Sequence, residues 1–323
     1  MNKSKRIFLA GHNGLVGNAV LNKLRKEGFK NIITRNKKNL DLLNQKKVDI
    51  FFKENKIHAV VFCAGFVGGI GATSVMPVEF STLNLRMFLN TIEASFNNNV
   101  DVFINLGSAC IYPTSIRGDL KEEDLLTDKL EPTNEAYSIA KISSLKICNF
   151  YKKQHNKNYF SLMPANIFGE NDNYNLKTSH VVPALIRKFF EAKKNNSKNL
   201  IIWGDGKPIR DLFYSHDLAD AILFCLKNYK KQIFLKYVNK NGFLNVGTGN
   251  GVQIKEIVSL LKNISGFKGK IIYDSRSSIN GMKRRVVNIS KIKKLGWKPN
   301  HNFEQALKKV YEFYSDNYAK LKH

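Results

Sequence analysis

The chain opens on a short apolar run that leads directly into three glycines spaced three residues apart. The run is Ile7–Ala10, the glycines are Gly11, Gly14 and Gly17, and an amphipathic helical pattern follows over residues 17–27. In such a strand–turn–helix unit the first glycine permits the tight turn, the second lets the backbone approach a pyrophosphate, and the third allows close packing. Free N–H groups and the dipole at the helix start attract the anion. The segment predicts a dinucleotide site, whose other loop residues are Asn13, Leu15 and Val16.

The end of the second predicted strand selects between the two nicotinamide dinucleotides. An acidic residue there would bind the ribose 2′-hydroxyl of NAD, whereas basic residues suit the 2′-phosphate of NADP. Residues 33–38 read ITRNKK, and the next acid is Asp41. We therefore expect NADP(H), with Arg35 and Lys37 at the phosphate and Asp41 and Leu42 near the adenine. The alternative is that these cations belong to the general lysine excess of the chain.

Short β-rich runs alternate with amphipathic stretches in the first half, which predicts βαβ units and a parallel sheet. The predicted strands cover residues 6–10, 31–34, 59–64, 102–106 and 159–164, and the predicted helices cover 17–27, 45–55, 84–98 and 134–154. This order is typical of a Rossmann-like, doubly wound α/β fold. In the less regular second half we predict a helix over 180–194, a strand over 200–203, a turn at 204–207, a helix from about 215, a strand over 242–246, a helix over 254–264, a loop over 274–283 and a helix over 303–318.

Neither a repeat nor a low-complexity linker separates the two halves, so we expect two closely fused domains. Residues 1–165 would form the cofactor-binding domain, to which some later segments return. Residues 166–323 would form a smaller C-terminal α/β substrate domain. The cleft between two such domains is the default binding site.

A tyrosine, a lysine and a serine have the spacing that carbonyl reduction requires. Tyr137 and Lys141 lie four residues apart, on one face of the predicted helix 134–154, and Ser108 follows the end of the predicted strand 102–106. A tyrosine can give a proton to the developing alkoxide when an ammonium stabilises its phenolate and a hydroxyl positions the carbonyl. A YxxxK pair alone is common by chance, but its place after this strand and behind a glycine motif favours catalysis.

The chain carries 52 Lys and Arg against 26 Asp and Glu, a formal net charge of +26. Such an excess can indicate nucleic-acid or membrane-surface binding. No basic block alternates with aromatic residues as in an RNA-binding surface, so we interpret the excess as lysines spread over solvated faces. We expect no nucleic-acid partner, although the charge favours a polyanionic substrate.

Four scattered cysteines form no CxxC pair, which predicts neither a zinc site nor a disulfide framework. They are Cys63, Cys110, Cys148 and Cys225, and we expect no metal. No run approaches the length of about 18 apolar residues that a membrane span needs. The run Ile7–Ala10 is too short for the core of a signal peptide. We therefore expect a cytoplasmic protein without a membrane partner.

Seven segments, spread over nearly the whole chain, form a pattern shared with a known family. They are GHNGLVG (11–17), VGGI (67–70), GSACIYP (107–113), LEPTNEAYSIAK (130–141), MPANIFGENDN (163–173), SHVVPALIRKF (179–189) and WGDGKPIRDLFY (203–214). In them the chain resembles the extended short-chain dehydrogenase/reductases, and within that group the GDP-L-fucose synthase family. The resemblance implies a bifunctional, NADPH-dependent 3,5-epimerase and 4-reductase acting on GDP-4-keto-6-deoxy-D-mannose. It also implies a homodimer, formed through the helices around residues 84–98 and 134–154.

The resemblance gives catalytic roles to Cys110 and His180. A C4 ketone acidifies the hydrogens on C3 and C5, and inversion of those centres needs a base on one face and an acid on the other. Cysteine and histidine side chains titrate near enough to neutrality to exchange these protons. The alternatives are that Cys110 is a packed small hydrophobe and that His180 is a polar residue at a helix N-terminus.

The remaining expected contacts also come from the resemblance. The GDP-sugar substrate would be bound by Ser108, Arg187, Trp203, Arg210 and Arg284. Beyond the glycine loop, Tyr137 and Lys141, the cofactor would be bound by Pro164, Asn166, Ile167 and His180. Surface solvation is the alternative explanation for the arginines.

Three places depart from the family pattern. Residues 70–78 read IGATSVMPV instead of a more polar stretch, residues 274–280 lack a Pro-Gly type of turn, and Asn288 replaces an aspartate. These places surround the expected sugar pocket, so the exact sugar is left open. The alternative function is a related reductase or epimerase on another GDP-4-keto sugar, a 6-deoxy-heptose or a dideoxy-hexose. A non-catalytic NADP sensor or RNA-binding protein is the alternative from another class, and the joint presence of all five catalytic residues argues against it.

Overall fold

The structure is a computed structural model and describes residues 1–274 and 282–321. Its strands are β1 Ile7–Ala10, β2 Ile32–Ile33, β3 Ala59–Phe62, β4 Val102–Leu106, β5 Asn158–Pro164, β6 Asn166–Phe168, β7 Asn199–Trp203, β8 Ile209–Arg210, β9 Leu212–Tyr214, β10 Phe243–Val246, β11 Val252–Gln253, β12 Lys270–Asp274 and β13 Arg284–Arg285. Its α-helices are α1 Leu15–Lys26, α2 Gln45–Asn55, α3 Ile70–Thr73, α4 Pro77–Asn97, α5 Glu135–His155, α6 Val181–Lys194, α7 Ser215–Asn228, α8 Gln232–Asn241, α9 Ile254–Ser265, α10 Ser290–Lys294 and α11 Phe303–Asn317.

A six-stranded parallel sheet has the order β10-β5-β4-β3-β1-β2. Helices cover both of its faces, which is why its strands are near-continuous apolar runs. Ile7 and Leu9 pack on the face that α1 and α7 cover, and Phe8 packs on the face that α2 and α4 cover. The predicted α/β fold class is confirmed. In sheets of this type ligands bind at the carboxyl ends of the strands, where the strand order reverses, and that point lies between β1 and β3.

A second, smaller core lies under helices α6, α9 and α11. Strand β12 pairs with β7 in parallel, and β8 lies between β11 and β13 in a separate sheet. Strand β10 and helix α7 follow residue 165 in the sequence but belong to the first sheet and its cover. The boundary between residues 165 and 166 stays a prediction. In residues 1–274 and 282–321, no helix has both the length and the apolarity to cross a membrane.

Several elements differ from the sequence prediction for physical reasons. Helix α4 begins at Pro77, because proline is well suited to the first helical position, and not at Asn84. The predicted strand 31–34 is reduced to Ile32–Ile33. Helix α8 was not predicted, since only Phe234 and Val238 of it are buried. Of the predicted loop over 274–283, residue 274 ends strand β12, and residues 275–281 lie outside the described residues.

Candidate functional site

The glycine loop between β1 and α1 is shaped by close backbone approaches. Gly11 has φ +81°, and a Cβ added there would lie 2.7 Å from the backbone nitrogen of Ala64, which follows β3. A Cβ on Gly17 would lie 2.0 Å from the carbonyl oxygen of Gly11. Gly14 is the N-cap of α1, and the nearest neighbour of an added Cβ is 3.5 Å away. The backbone at Gly14 is therefore open to a ligand, at the start of a 12-residue helix with no acid in its first turn.

The residues that follow β2 suit a phosphate. Arg35 and Lys37 are exposed, and Arg35 donates to the Thr34 carbonyl at 2.9 Å with its guanidinium 5.5 Å from the Phe51 ring centroid. Asp41 accepts a hydrogen bond from the backbone N–H of Leu43, and Leu42 is buried. This combination of an open glycine loop and unshielded cations fits a dinucleotide with a 2′-phosphate.

Tyr137 and Lys141 are both buried on α5. The Lys141 ammonium lies 5.6 Å from the centroid of the Tyr137 ring and donates to the Leu106 carbonyl, at the end of β4, at 2.9 Å. Burial lowers the pKa of Lys141 to about 8. Burial, and secondly the charge of Cys110, raise the pKa of Tyr137 well above its usual range. At neutral pH the site therefore holds a protonated phenol beside an ammonium.

Cys110 receives hydrogen bonds from two directions. Its Sγ atom lies 3.2 Å from the Ser108 hydroxyl and 3.6 Å from a guanidinium nitrogen of Arg285. Ser108 caps the short 3₁₀ helix Ala109–Ile111, and the Cys110 carbonyl accepts from Ser138 on α5 at 2.9 Å. The serine–cysteine turn is therefore tied to the helix that carries Tyr137. Both donors point at the sulfur atom, an arrangement that suits a negatively charged sulfur.

His180 stands at the N-terminus of α6 without a side-chain capping bond. Its side chain as a whole is exposed, yet desolvation, with the charge of Arg285 as second cause, lowers its pKa. The turn before it packs on the VGGI motif: the Gly69 N–H donates to the Thr178 carbonyl at 2.8 Å. A Cβ on Gly69 would lie 2.4 Å from the Ser179 carbonyl oxygen. Glycine at residue 69 therefore lets the chain that carries His180 pack directly on the start of α3.

Arg210 and Arg285 are direct partners in the parallel register of β8 and β13. Arg210 donates to the carbonyls of Met282 at 2.7 Å and Ile209 at 2.9 Å. Burial, followed by the charge of Arg285, lowers the pKa of Arg210 to about 10. The Nε atom of Arg285 is buried and has no hydrogen-bond partner within the described part of the chain. Two adjacent guanidinium groups with spare donors suit an anionic ligand.

Three other predicted substrate residues are engaged elsewhere. Arg187 pairs with Glu191 at 2.8 Å, and Arg284 pairs with Asp119 at 2.6 Å. Trp203 is 56% exposed, with the Lys188 ammonium 4.5 Å from its ring centroid. The structure does not bring them into contact with Cys110, and their roles in substrate binding stay predictions.

The chain leaves β5 at Pro164 and enters β6 at Asn166 and Ile167. The Asn166 N–H donates to the Asp211 carbonyl at 3.0 Å, and its side-chain Nδ2 is buried without a partner among the described residues. An unpaired buried donor beside the carboxyl ends of the strands fits a ligand oxygen. Within the described ranges no three His, Cys, Asp or Glu side chains are grouped as metal ligands.

Sequence reasoning missed two residues of this site. Arg285 was not among the predicted site residues, although its neighbour Arg284 was. Asn84 lies in the interior of α4, where its buried amide binds both backbone groups of Phe66. An asparagine in an apolar helix face was the available signal for the second residue, because buried polar groups are paired.

Comparison with known proteins agrees with this geometry. A family model described as the NAD dependent epimerase/dehydratase family matches residues 7–238. The chain is 42% identical to a GDP-L-fucose synthase of Sinorhizobium fredii, over 98% of this chain and 97% of that protein. It is similar to the structure of a GDP-6-OMe-4-keto-L-xylo-heptose reductase from C. jejuni, with TM-score 0.91, 32% identity and coverage of 98% and 99%. A GDP-mannoheptose C4 reductase from Campylobacter jejuni, solved with NADP bound, gives TM-score 0.88, 34% identity and coverage of 97% and 99%.

Proposed function

The chain belongs to the NAD dependent epimerase/dehydratase family, and on that premise we propose a bifunctional, NADPH-dependent 3,5-epimerase and 4-reductase that converts GDP-4-keto-6-deoxy-D-mannose to GDP-L-fucose. One observation carries the proposal. Cys110, hydrogen-bonded by Ser108 and Arg285, packs on the cluster that contains Tyr137, the partner of Lys141. Groups for proton exchange at carbon and for protonation at oxygen therefore share one site.

Epimerisation needs one proton removed from a carbon next to the C4 ketone and one proton returned to its opposite face. Cys110, as a thiolate, accepts the proton from the carbon, and the resulting negative charge spreads to O4. The Tyr137 hydroxyl donates a hydrogen bond to that oxygen, and the Ser108 hydroxyl would do so after turning away from Cys110, which keeps its contact with Arg285. His180 returns a proton from the other face, and its lowered pKa makes the protonated imidazole a stronger acid.

Reduction uses the Tyr137 and Lys141 pair. The hydride for C4 would come from NADPH held at Gly11, Gly14 and Gly17, and Tyr137 would give its proton to O4. The Lys141 ammonium, which lies 5.6 Å from the centroid of the Tyr137 ring, stabilises the phenolate that remains. Burial of both side chains excludes water from the proton transfer and strengthens this interaction.

NADP(H) is the cofactor that the residues present fit. Gly11, Gly14 and Gly17 would hold the pyrophosphate against α1, and Arg35 with Lys37 would hold the 2′-phosphate. Arg210 would bind the diphosphate of the GDP-sugar, while Arg285 stays at Cys110. The reaction belongs in the cytoplasm, where nucleotide sugars and NADPH are made. Two copies would pair through α4 and α5, and Ile139 and Phe150 of α5 are 47% and 56% exposed.

A second candidate is the C4 reduction of a GDP-4-keto-heptose. It is favoured by the similarity to the two Campylobacter reductases. The same side chains would serve it, because the reacting C4 ketone is identical.

The experiment is product analysis with pure protein, NADPH and GDP-4-keto-6-deoxy-D-mannose in deuterated water. The proposal expects GDP-L-fucose with solvent deuterium on C3 and C5. A reduced product that keeps the starting configuration at both carbons would show a plain reductase. Absence of turnover, together with turnover of a 4-keto-heptose, would select the second candidate.

A further inference from the structure

We propose that the segment Gly65–Gly69 forms the wall against which the C5 substituent of the sugar packs. Its side chains Phe66 and Val67 select a methyl group over a hydroxylated substituent. The inference rests on the proposed function, since it concerns the sugar bound at that same site. It names these two residues as determinants of sugar specificity.

The two ends of the wall lie at two catalytic residues. A Cβ on Gly65 would lie 3.8 Å from the Lys141 ammonium. At the other end, Gly69 packs on Ser179, the neighbour of His180. Phe66 and Val67 therefore lie on the stretch of chain that runs from the neighbourhood of Lys141 to that of His180.

A buried amide holds the wall in place. Asn84, only 6% exposed, accepts from the Phe66 N–H at 2.8 Å and donates to the Phe66 carbonyl at 3.0 Å. Its amide also donates to the Phe80 carbonyl at 2.7 Å. Both backbone groups of Phe66 are therefore already paired and are not free to bind a hydroxyl of a ligand.

The Phe66 ring joins the cluster that supports the catalytic acid and base. Its centroid lies 4.7 Å from that of Phe80, and the Phe80 ring meets Tyr137 edge-on at 6.1 Å. Cys110 and Met76 pack on the same cluster. The apolar surface therefore adjoins both the group that acts on O4 and the group that acts on the carbons next to C4.

The chemistry of the sugar identifies what meets this surface. When C4 lies at Tyr137 and the C5 hydrogen lies at Cys110, the substituent attached to C5 adjoins the surface formed by Phe66 and Val67. The wall carries no polar side chain, and Val67 is 54% exposed and free to contact a ligand. A hydroxyl pressed against it would lose its water without gaining a partner, which reduces binding by about 5- to 150-fold.

The test compares two substrates that differ at one atom. The ratio of kcat/KM for NADPH-dependent reduction is measured with GDP-4-keto-6-deoxy-mannose and with its 6-hydroxylated counterpart, GDP-4-keto-mannose. The wild type is expected to favour the 6-deoxy sugar by about 5- to 150-fold. Val67→Thr, which replaces a methyl with a hydroxyl at nearly constant volume, should lower that ratio at least fivefold.

The matched control is Ile50→Thr, which introduces threonine at a branched apolar side chain of α2 that is 54% exposed, as Val67 is, and lies outside both the wall and the segment 70–78. It should leave the ratio unchanged. A wild-type ratio near one, or equal ratios for the wild type and Val67→Thr, would overturn the inference while turnover of the 6-deoxy sugar upholds the proposed function. Failure of the wild type to turn over either sugar would refute the proposed function and the inference together.

Discussion

The rate of NADPH-dependent reduction should fall between pH 7 and pH 9, because the Lys141 ammonium loses its proton over this range. Burial lowers the pKa of Lys141 from 10.5 to about 8, so its charged form is present below that pH and is lost as the pH rises. The protonated fraction falls from about 90% at pH 7 to about 10% at pH 9, whereas an ordinary lysine would stay about 97% charged. Because Tyr137 has a raised pKa, it keeps its proton over this range. We therefore expect a decrease of about tenfold from the loss of Lys141 charge alone.

The assay is kcat/KM for NADPH against pH, since this parameter reports groups of the free enzyme. It is performed in the Cys110→Ser variant, so that reduction is followed without epimerisation. Lys141→Arg is the matched control, because a guanidinium stays charged throughout. The larger arginine side chain lowers the overall activity at a site only 7% exposed, but kcat/KM should not change with pH over this range. The assigned role of the Lys141 charge would be refuted if kcat/KM did not change with pH in the protein that carries Lys141. It would also be refuted if kcat/KM fell equally in the Lys141→Arg variant.

Three substitutions test the other assigned roles. Tyr137→Phe removes the proton donor and should slow reduction, measured by NADPH oxidation, by roughly 10²–10⁴-fold. NADPH binding, measured by titration of the cofactor, should stay nearly intact. Near-normal reduction would contradict the assignment. Arg35→Ala should weaken NADPH binding by about 10- to 100-fold and NADH binding far less, and equal changes in the two dissociation constants would remove Arg35 from the 2′-phosphate site. Cys110→Ser should lower deuterium exchange at C3 and C5 by roughly 10²–10⁴-fold while reduction continues, and exchange at the wild-type rate would leave Cys110 as packing alone.

Local patterns in the sequence were sufficient for the first sheet and its glycine loop. Buried parallel strands must be apolar, and glycine is required at residues 11 and 17 by backbone approaches of 2.0–2.7 Å that any side chain would block, whereas Gly14 leaves the backbone open to a ligand. Tyr137 and Lys141 could be placed on one helical face because side chains four residues apart are neighbours there. Helix α8 could not be predicted, since its two buried residues give too weak a periodic signal.

The tertiary structure alone decided which arginine meets Cys110. Arg284 and Arg285 are adjacent in the sequence, but successive side chains of a strand point to opposite faces. The pairing of β13 with β8 places Arg285 beside Arg210 and 3.6 Å from Cys110, and Arg284 beside Asp119. A contact between residues 175 positions apart depends on strand register, which short-range sequence patterns do not encode. The same holds for Asn84, whose buried amide has its partner at Phe66 only once α4 has packed against the sheet.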